Sequence, residues 1–369
     1  MKILFVGDYS GVHANLAAEL RRRGHKVTVV SDGGLHMQTE SDIFVRREPG
    51  ILESFRYLYR LFQIQPGLKG FDVVQLVNPG FFGLRPGKLS YFLKHLKNDN
   101  GSLFLTLAGN DFFFVEACVR KDMFRFSEFR IGKEKTRQVM CDPECEYGWF
   151  NSALTDYTRY LYSQLDGAVS LLPEYDMAAR PVLGERLAFA GLPIDFSVLP
   201  DLDTEVEGKV RIFVGMVKGR EIEKGTDRLL RIAEDMQKEM PERCEAVKVC
   251  NLPLRDYLRE MAGSHIVLDQ LYSYSPGMNG LQAAALGRVS ATGAQPEYYE
   301  YLGEKDSRPF LCVAPDSEDG LRNQLRRLIM DPEGIAARGQ SCKDFVRRHH
   351  NVRVVADRFE SHWNNVAGS

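Results

Sequence analysis

The chain has 369 residues, 44% hydrophobic and 27% charged, with a formal net charge of −2. This balance suits a soluble enzyme of two domains and offers no broad basic field for nucleic acid. No apolar run is long enough to cross a bilayer, and MKILFVGDYSG reads as a first strand because its apolar run stops at Val6, short of a signal peptide's hydrophobic core; a cytoplasmic location is expected.

Short apolar runs at Lys2–Val6, Lys26–Val30, Asp72–Val77, Ser102–Leu107 and Gly167–Leu171 are of the kind that form buried parallel strands. Between the first two, His13–Arg23 sets Leu16, Ala17 and Leu20 on one helical face and stops at Gly24. This is a Rossmann-like start without the full G-x-G-x-x-G fingerprint, since Gly7 and Gly11 are the only loop glycines. Val119–Gln138 interleaves seven basic and three acidic residues with Phe124, Phe126 and Phe129. Such a segment can rest on an anionic membrane, as peripheral contact, or form a solvated helix with one aromatic face in the core. Cys141 and Cys145 are the only close cysteine pair, no further metal ligands lie nearby in sequence, and the seven cysteines are expected to be reduced thiols without a metal.

The second half repeats the plan with runs at Val210–Gly215, Ala246–Cys250, His265–Asp269, Arg288–Ala291 and Phe310–Val313. A last helix is expected over about Val354–Val366. Two of its loops bear chemistry. After Val210–Gly215 a polar turn carries Arg220 and Lys224 ahead of an amphipathic helix. Cations at a strand's carboxyl end sit where open α/β sheets bind ligands, and Arg grips phosphate bidentately while Lys acts as a point charge. A solvated basic turn is the other reading.

The second is DQLYSYSPGMNGLQAAALGRVSATGAQPEYYE, residues 269–300. It reads as a polar loop with Gly277, Met278, Asn279 and Gly280, then an alanine-rich helix over about Leu281–Leu286, Gly287 and a short strand. Small residues that uncover the first N–H groups of a helix make an anion site, because those donors lack intrahelical partners and share the positive end of the helix dipole. Glycine before an Ala/Leu helix also occurs for packing alone.

Together these segments resemble the donor half of the retaining GT-B glycosyltransferases that use nucleotide-diphospho-sugars, the group 1 or family 4-like enzymes. The resemblance is carried by Gly215, Arg220, Lys224-Gly225-Thr226, by Leu281-Gln282-Ala283-Ala284-Ala285-Leu286-Gly287, which follows the family's L-E-A-x-A-x-G, and by Gly293-Ala294-Gln295-Pro296-Glu297, which follows its G-x-P-E segment. It implies an α/β fold of two Rossmann-like, doubly wound domains facing across a cleft. The first, residues 1–200, would be acceptor-side; the second, 201–350, would hold the nucleotide sugar; and 351–369 would form a C-terminal helix packing back on the first. Ala190-Gly191-Leu192-Pro193-Ile194-Asp195 resembles the family's crossing point, and DLDTEVEGK after it reads as linker.

The resemblance also implies a site. Gly277, Met278, Asn279, Gly280, Leu281, Gln282, Tyr274 and Glu297 would bind the donor, and Arg220 and Lys224 would stabilise charge on the departing diphosphate, with Asp111 a third catalytic candidate. On the acceptor side stand Gly11, His13, Gly109 and Asn110, and less strongly Asp8, since glycine lets backbone approach a sugar and polar side chains direct hydrogen bonds to hydroxyls. His13 can equally be a solvent-facing residue at a helix start, and Asp111 can cap the segment after it. The family's usual glutamate pair falls on Tyr274 and Gln282, and its histidine before G-x-D falls on Ala108. Gln282 can still accept a ribose hydrogen bond, whereas Tyr274 cannot copy a charge. The implied reaction is retaining sugar transfer to a glycan or lipid-linked glycan, as in surface polysaccharide or glycoconjugate synthesis. It would need no cofactor and no metal, there being no D-x-D beside a strand end. A non-catalytic nucleotide-sugar-binding subunit, and a nucleotide-sugar epimerase, are the alternatives.

Overall fold

The computed structural model describes residues 1–34, 39–200, 206 and 208–367. In chain order the strands are β1 (Lys2–Val6), β2 (Lys26–Ser31), β3 (Ile43–Phe44), β4 (Val73–Leu76), β5 (Ser102–Leu107), a short hairpin of β6 (Arg130–Ile131) and β7 (Glu134–Lys135), then β8 (Gly167–Ser170) and β9 (Leu187–Phe189). The rest are β10 (Val210–Met216), β11 (Cys244–Cys250), β12 (Ile266–Leu268), β13 (Val289–Thr292) and β14 (Leu311–Cys312). They build two sheets, in the orders β3-β2-β1-β4-β5-β8-β9 and β11-β10-β12-β13-β14, with every neighbouring pair parallel. Parallel neighbours require helical crossovers, and those cover both faces of each sheet. The expected pair of doubly wound, Rossmann-like domains is therefore present.

The first compact unit comprises Met1–Glu116, Tyr147–Pro193 and the segment from Val352 onward. One face of its sheet, through Leu4, Val74, Leu76, Leu103 and Leu105, packs with Leu61, Phe92, Leu93 and Leu161 from covering helices. The other face presents Phe5 and Phe104, each ring beside the indole of Trp363 (6.3 and 6.4 Å between centroids). Trp363 lies on the last helix, Val352–Ala367, which is joined to the helix Val12–Arg22 through Arg23, ion-paired with Asp357 and Glu360.

Between these layers runs a buried chain of hydrogen bonds. The Trp363 indole N–H donates to Gln75 Oε1 (2.9 Å), Gln75 Nε2 donates to Thr106 Oγ1 (3.0 Å), and His13 Nε2 lies 3.0 Å from that hydroxyl. His13 Nδ1 is 2.7 Å from the carbonyl oxygen of Gly7, which can only accept, so Nδ1 carries the proton and Nε2 accepts from Thr106. Every member is fully buried.

The second unit comprises Ala117–Glu146 and Ile194–Asn351. On one face, Ile212, Val214, Leu268, Val289 and Ala291 pack with Leu229, Ile232 and Met236 of the helix Thr226–Glu239. On the other, Phe213 and Val267 meet Leu258, Met261, Ala283 and Leu286. The helix Pro332–His349 lies over Met278–Ala285, where a Cβ at Gly339 would come within 2.0 Å of the Gly287 carbonyl oxygen.

Several sequence expectations are corrected here. The stretch 1–200 is not one unit, because Ala117–Glu146 belongs to the second. The physical cause is aromatic: the rings of Phe124 and Phe126 sit 5.5 and 4.8 Å from that of Tyr274, and Arg130 pairs with buried Glu146. Within that segment Phe124, Phe126 and Phe129 are all buried, so it has no aromatic face to lay on a membrane, and it forms turns and the β6–β7 hairpin rather than one helix. The alanine-rich helix begins at Met278, not Leu281. The linker expected at Asp201–Lys209 falls largely outside the described residues. The units divide between Pro193 and Ile194.

The buried relay yields a stability prediction. Thr106→Val leaves Gln75 Nε2 and His13 Nε2 without their partner, and should destabilise the protein by about 1–3 kcal/mol for each orphaned group. Thr106→Ser should be close to neutral, and denaturant unfolding of both variants measures the difference.

Candidate functional site

In the second sheet β10 has β11 on one side and β12 on the other. Its carboxyl end is thus a topological switch point, where loops diverge and open α/β sheets bind ligands. The loops after β10 and β12 hold Arg220 and Lys224, and Asp269 to Gly277, respectively. They are tied together: the Leu271 N–H donates to the Lys224 carbonyl at 2.9 Å. The approach needs glycine at Gly225, whose φ is +68° and where a Cβ would lie 2.6 Å from that of Leu271.

Arg220 precedes the one-turn helix Glu221–Lys224, and its exposed guanidinium pairs with Glu223, Nε lying 2.9 and 3.1 Å from the carboxylate oxygens. An exposed pair three residues apart contributes little, so a phosphate can exchange with Glu223 at small cost. Lys224 is half-buried.

The helix Met278–Ala285 starts after Gly277, an N-cap with extended backbone and no capping side chain. The Leu281 N–H already bonds the Gly277 carbonyl (3.0 Å), which leaves the amides of Met278, Asn279 and Gly280 at the open helix end. The Asn279 side chain points inward: Nδ2 donates to Asp269 Oδ1 (3.0 Å), and Oδ1 accepts from the Tyr257 hydroxyl (2.6 Å). Asp269 Oδ2 accepts from the Thr292 hydroxyl at 2.9 Å. Gly280 sits on this pair, since a Cβ there would lie 2.8 Å from Asp269 Oδ2 and 2.9 Å from Thr292 Oγ1. Asp269, Tyr257 and Thr292 went unnoticed in the sequence, where the one available signal was an acidic residue closing an apolar strand. The Asp269 carboxylate also offsets part of the positive helix end, so an anion bound there depends on added cations.

Gln282 lies farther along the helix and is half-buried; buried Leu281 contributes its packing to the core. Glu297 is in the first turn of the helix Pro296–Tyr301 and accepts from Arg125 Nη2 at 3.1 and 3.3 Å. Tyr274 needs correcting as a donor contact. Its hydroxyl accepts the Arg125 backbone N–H at 2.6 Å, and its buried ring is covered by Phe124, Phe126 and the Arg125 guanidinium, 5.3 Å from its centroid. It anchors the Ala117–Glu146 segment.

In the first unit, Gly11 (φ +77°) opens the helix Val12–Arg22, and Gly109 (φ +72°) lies in the loop after β5 beside Tyr9. Asn78 Nδ2 holds that loop by donating to the carbonyls of Ala108 (2.9 Å) and Asn110 (3.2 Å). Two candidates prove inaccessible. His13 is fully buried in the relay and stacked on Phe5, 4.5 Å between centroids. Asp111 is buried as a helix cap, accepting the Phe114 N–H at 2.9 Å and the Tyr162 hydroxyl. Neither side chain is exposed.

Burial pushes the His13 imidazole down to about 4, and the Asp8 carboxyl, which accepts the His13 N–H at 2.9 Å, up to about 6. Their effects on stability oppose each other. His13 withdraws stability as pH falls from the ordinary 6.5 through 4, whereas Asp8 adds it as pH falls from 6 through 3.8. Among the described residues no three His, Cys, Asp or Glu side chains are grouped to hold a metal, and all seven cysteines are free thiols. No described helix is long and apolar enough to cross a membrane.

No protein-family model matches the sequence, and no curated protein matches it. Solved structures do. Sucrose-phosphate synthase from Thermosynechococcus elongatus is similar over 100% of both chains, with 12% identity and a TM-score of 0.64. HepE from Anabaena, solved with UDP and glucose, is similar over 99% of this chain and 100% of its own, with 11% identity and a TM-score of 0.63. A putative UDP-N-acetylglucosamine 2-epimerase from Listeria monocytogenes is similar over 98% of this chain and 94% of its own, with 10% identity and a TM-score of 0.56. At these identities the likeness establishes the fold alone, GT-B with two Rossmann-like domains.

Two glycines at the helix start should behave differently. Gly280→Ala drives a methyl onto buried Asp269 and Thr292 and should cost about 1–3 kcal/mol. Gly277→Ala first meets the end of Gln270, 3.1 Å away, and should stay within about 0.5 kcal/mol of the parent. Thermal unfolding of both variants checks the contrast. For His13, ring resonances followed by NMR should remain those of the neutral form through the interval of about pH 7.5 to 5.5, in which an ordinary histidine titrates.

Proposed function

We propose that the protein is a glycosyltransferase that moves a sugar from a nucleotide-diphospho-sugar to a glycan or lipid-linked glycan acceptor, in surface polysaccharide or glycoconjugate synthesis. The observation that carries this reading is the convergence at one switch point of an open helix N-terminus and a loop bearing Arg220 and Lys224, joined by the bond between Leu271 and Lys224. Amides and cations of this kind suit a diphosphate. HepE, a neighbour in fold, is known with UDP and glucose bound.

In the proposed reaction the bond between the anomeric carbon and the diphosphate breaks while the acceptor hydroxyl oxygen bonds to that carbon with retained configuration. The acceptor's proton passes to the departing phosphate. Arg220, Lys224 and the helix amides stabilise the charge developing on that phosphate, preorganised electrostatic help of the sort that contributes most to many enzymes. Fixed cations take the place a divalent ion would otherwise fill, and turnover is expected to persist in excess chelator; loss of activity restored by magnesium or manganese would contradict that.

A binding subunit without turnover is favoured by one observation: Gln282 is uncharged and Tyr274 is engaged with Arg125, so neither position offers a carboxylate. Acceptor-dependent turnover separates the two readings, and an epimerase would turn over its nucleotide sugar alone. Arg220→Ala and Lys224→Ala should each weaken nucleotide-sugar binding about tenfold or more, the loss of one charge-assisted hydrogen bond of about 1.5–3 kcal/mol, with unfolding temperatures unchanged. Unchanged affinity in both removes the assignment. At Gln282, substitution by Glu should preserve or strengthen nucleotide binding and substitution by Leu should cost about 1–3 kcal/mol, if its carbonyl accepts from the ribose. Calorimetry with both variants reads this directly.

A further inference from the structure

The loop after β12 that leads into the open helix end is tied on its other side as well, to the loop after β13. The Gln295 N–H donates to the Tyr274 carbonyl at 2.9 Å, and a Cβ at Gly293 would lie 2.0 Å from the Ser273 carbonyl oxygen. On this side stands Arg125 of the Ala117–Glu146 segment. Its backbone is fixed through both polar groups: the N–H donates to the Tyr274 hydroxyl at 2.6 Å, and the carbonyl accepts the Gly132 N–H at 2.8 Å. The backbone is thus anchored without the side chain, which is 61% exposed. The guanidinium donates through Nη2 to Gln295 Oε1 (3.2 Å) and to both Glu297 carboxylate oxygens (3.1 and 3.3 Å). An exposed ion pair of this kind contributes little to stability, and a guanidinium carries several donors, so it can grip a further acceptor while Nη2 keeps these bonds.

We propose that Arg125 is a specificity-determining residue that contacts the sugar of the donor, a neutral hexose, and that the Ala117–Glu146 segment is the element that delivers it. This deepens the transfer reading and rests on it. A diphosphate seated at the amides of Met278, Asn279 and Gly280 joins a nucleoside to a sugar, and the β13 side suits the sugar. There a guanidinium and a carboxylate stand side by side; a sugar hydroxyl both donates and accepts, so neighbouring hydroxyls match the pair. A base would need an apolar face, and the Tyr274 ring offers none, being 6% exposed beneath Phe124, Phe126 and the guanidinium. Glu297 favours a neutral sugar over a uronic acid, whose carboxylate would meet it with like charge.

The test is titration calorimetry of the full chain with UDP, GDP and ADP, each beside its glucose and mannose conjugates, for the parent and for Arg125→Met. Methionine keeps an unbranched side chain over the Tyr274 ring and removes only the donors, while the backbone bond to the Tyr274 hydroxyl is retained. For the base that binds, the variant is expected to hold a hexose conjugate at least about fivefold more weakly, with affinity for the free diphosphate within about twofold of the parent and an unchanged melting temperature. Arg125→Lys, a point charge without the fork, should recover part of the loss. An arginine that only staples the segment would lower the melting temperature and both affinities together, and that result overturns the proposal. So does a variant that binds diphosphate and conjugates as the parent does, and so does a parent that binds a free diphosphate but neither conjugate. A parent that binds no free diphosphate defeats the transfer reading itself, and the proposal with it.

Discussion

The second unit is organised around one buried carboxylate. Asp269 directly follows β12 and grips two other elements at once, the first turn of the helix Met278–Ala285 through Asn279 and the end of β13 through Thr292. Removing either partner would leave a buried charged group short of hydrogen bonds, which costs more than the bond itself contributes. The helix start is therefore held in register with the sheet, and Gly280 records how closely, because no side chain fits between helix and carboxylate. A helix N-terminus fixed this way presents its open amides without reorganisation when a ligand arrives, which is what electrostatic preorganisation requires.

The same arrangement sets the charge balance of the site. Asp269 lies beneath the helix and draws on its positive end, so the helix dipole by itself is a weakened anion receptor. In the proposed function Arg220 and Lys224, on the loop tied by its backbone to Leu271, would restore the balance. The Arg220 guanidinium pairs with Glu223. That exposed contact is screened by solvent and salt, and releasing it costs little compared with a bidentate grip on phosphate. Sheet order and loop tie thus meet at one place, the switch point between β10 and β12.

How much of this was readable in the sequence depended on the range of the interactions involved. Buried parallel strands are continuous apolar runs, so KILFV, SLFLTL and VRIFVG announced themselves, and the fold class followed. The placement of Arg220 and Lys224 after a strand and of Gly277 before a helix was legible because loop chemistry at strand ends is local. What escaped was fixed by distant partners. Nothing near Phe124 and Phe126 tells that they pack on Tyr274, so Ala117–Glu146 was placed in the wrong unit. His13 reads in the sequence as an acceptor-side contact or a solvent-facing residue at a helix start, and its burial comes from Phe5, Thr106 and, through Gln75, Trp363. Asp111 held two readings that the bonds it accepts from the Tyr162 hydroxyl and the Phe114 amide resolve in favour of a cap.

The claim on which the account rests most heavily is that the switch point of the second unit receives a diphosphate. Titration calorimetry of the protein with matched nucleoside diphosphates and monophosphates, across uracil, guanine and adenine and in the presence of chelator, tests it most directly. The account predicts that for at least one base the diphosphate binds at least about tenfold more tightly than the monophosphate, the increment of one further charge-assisted contact. Equal affinity for the two, or no binding of any diphosphate, would contradict it.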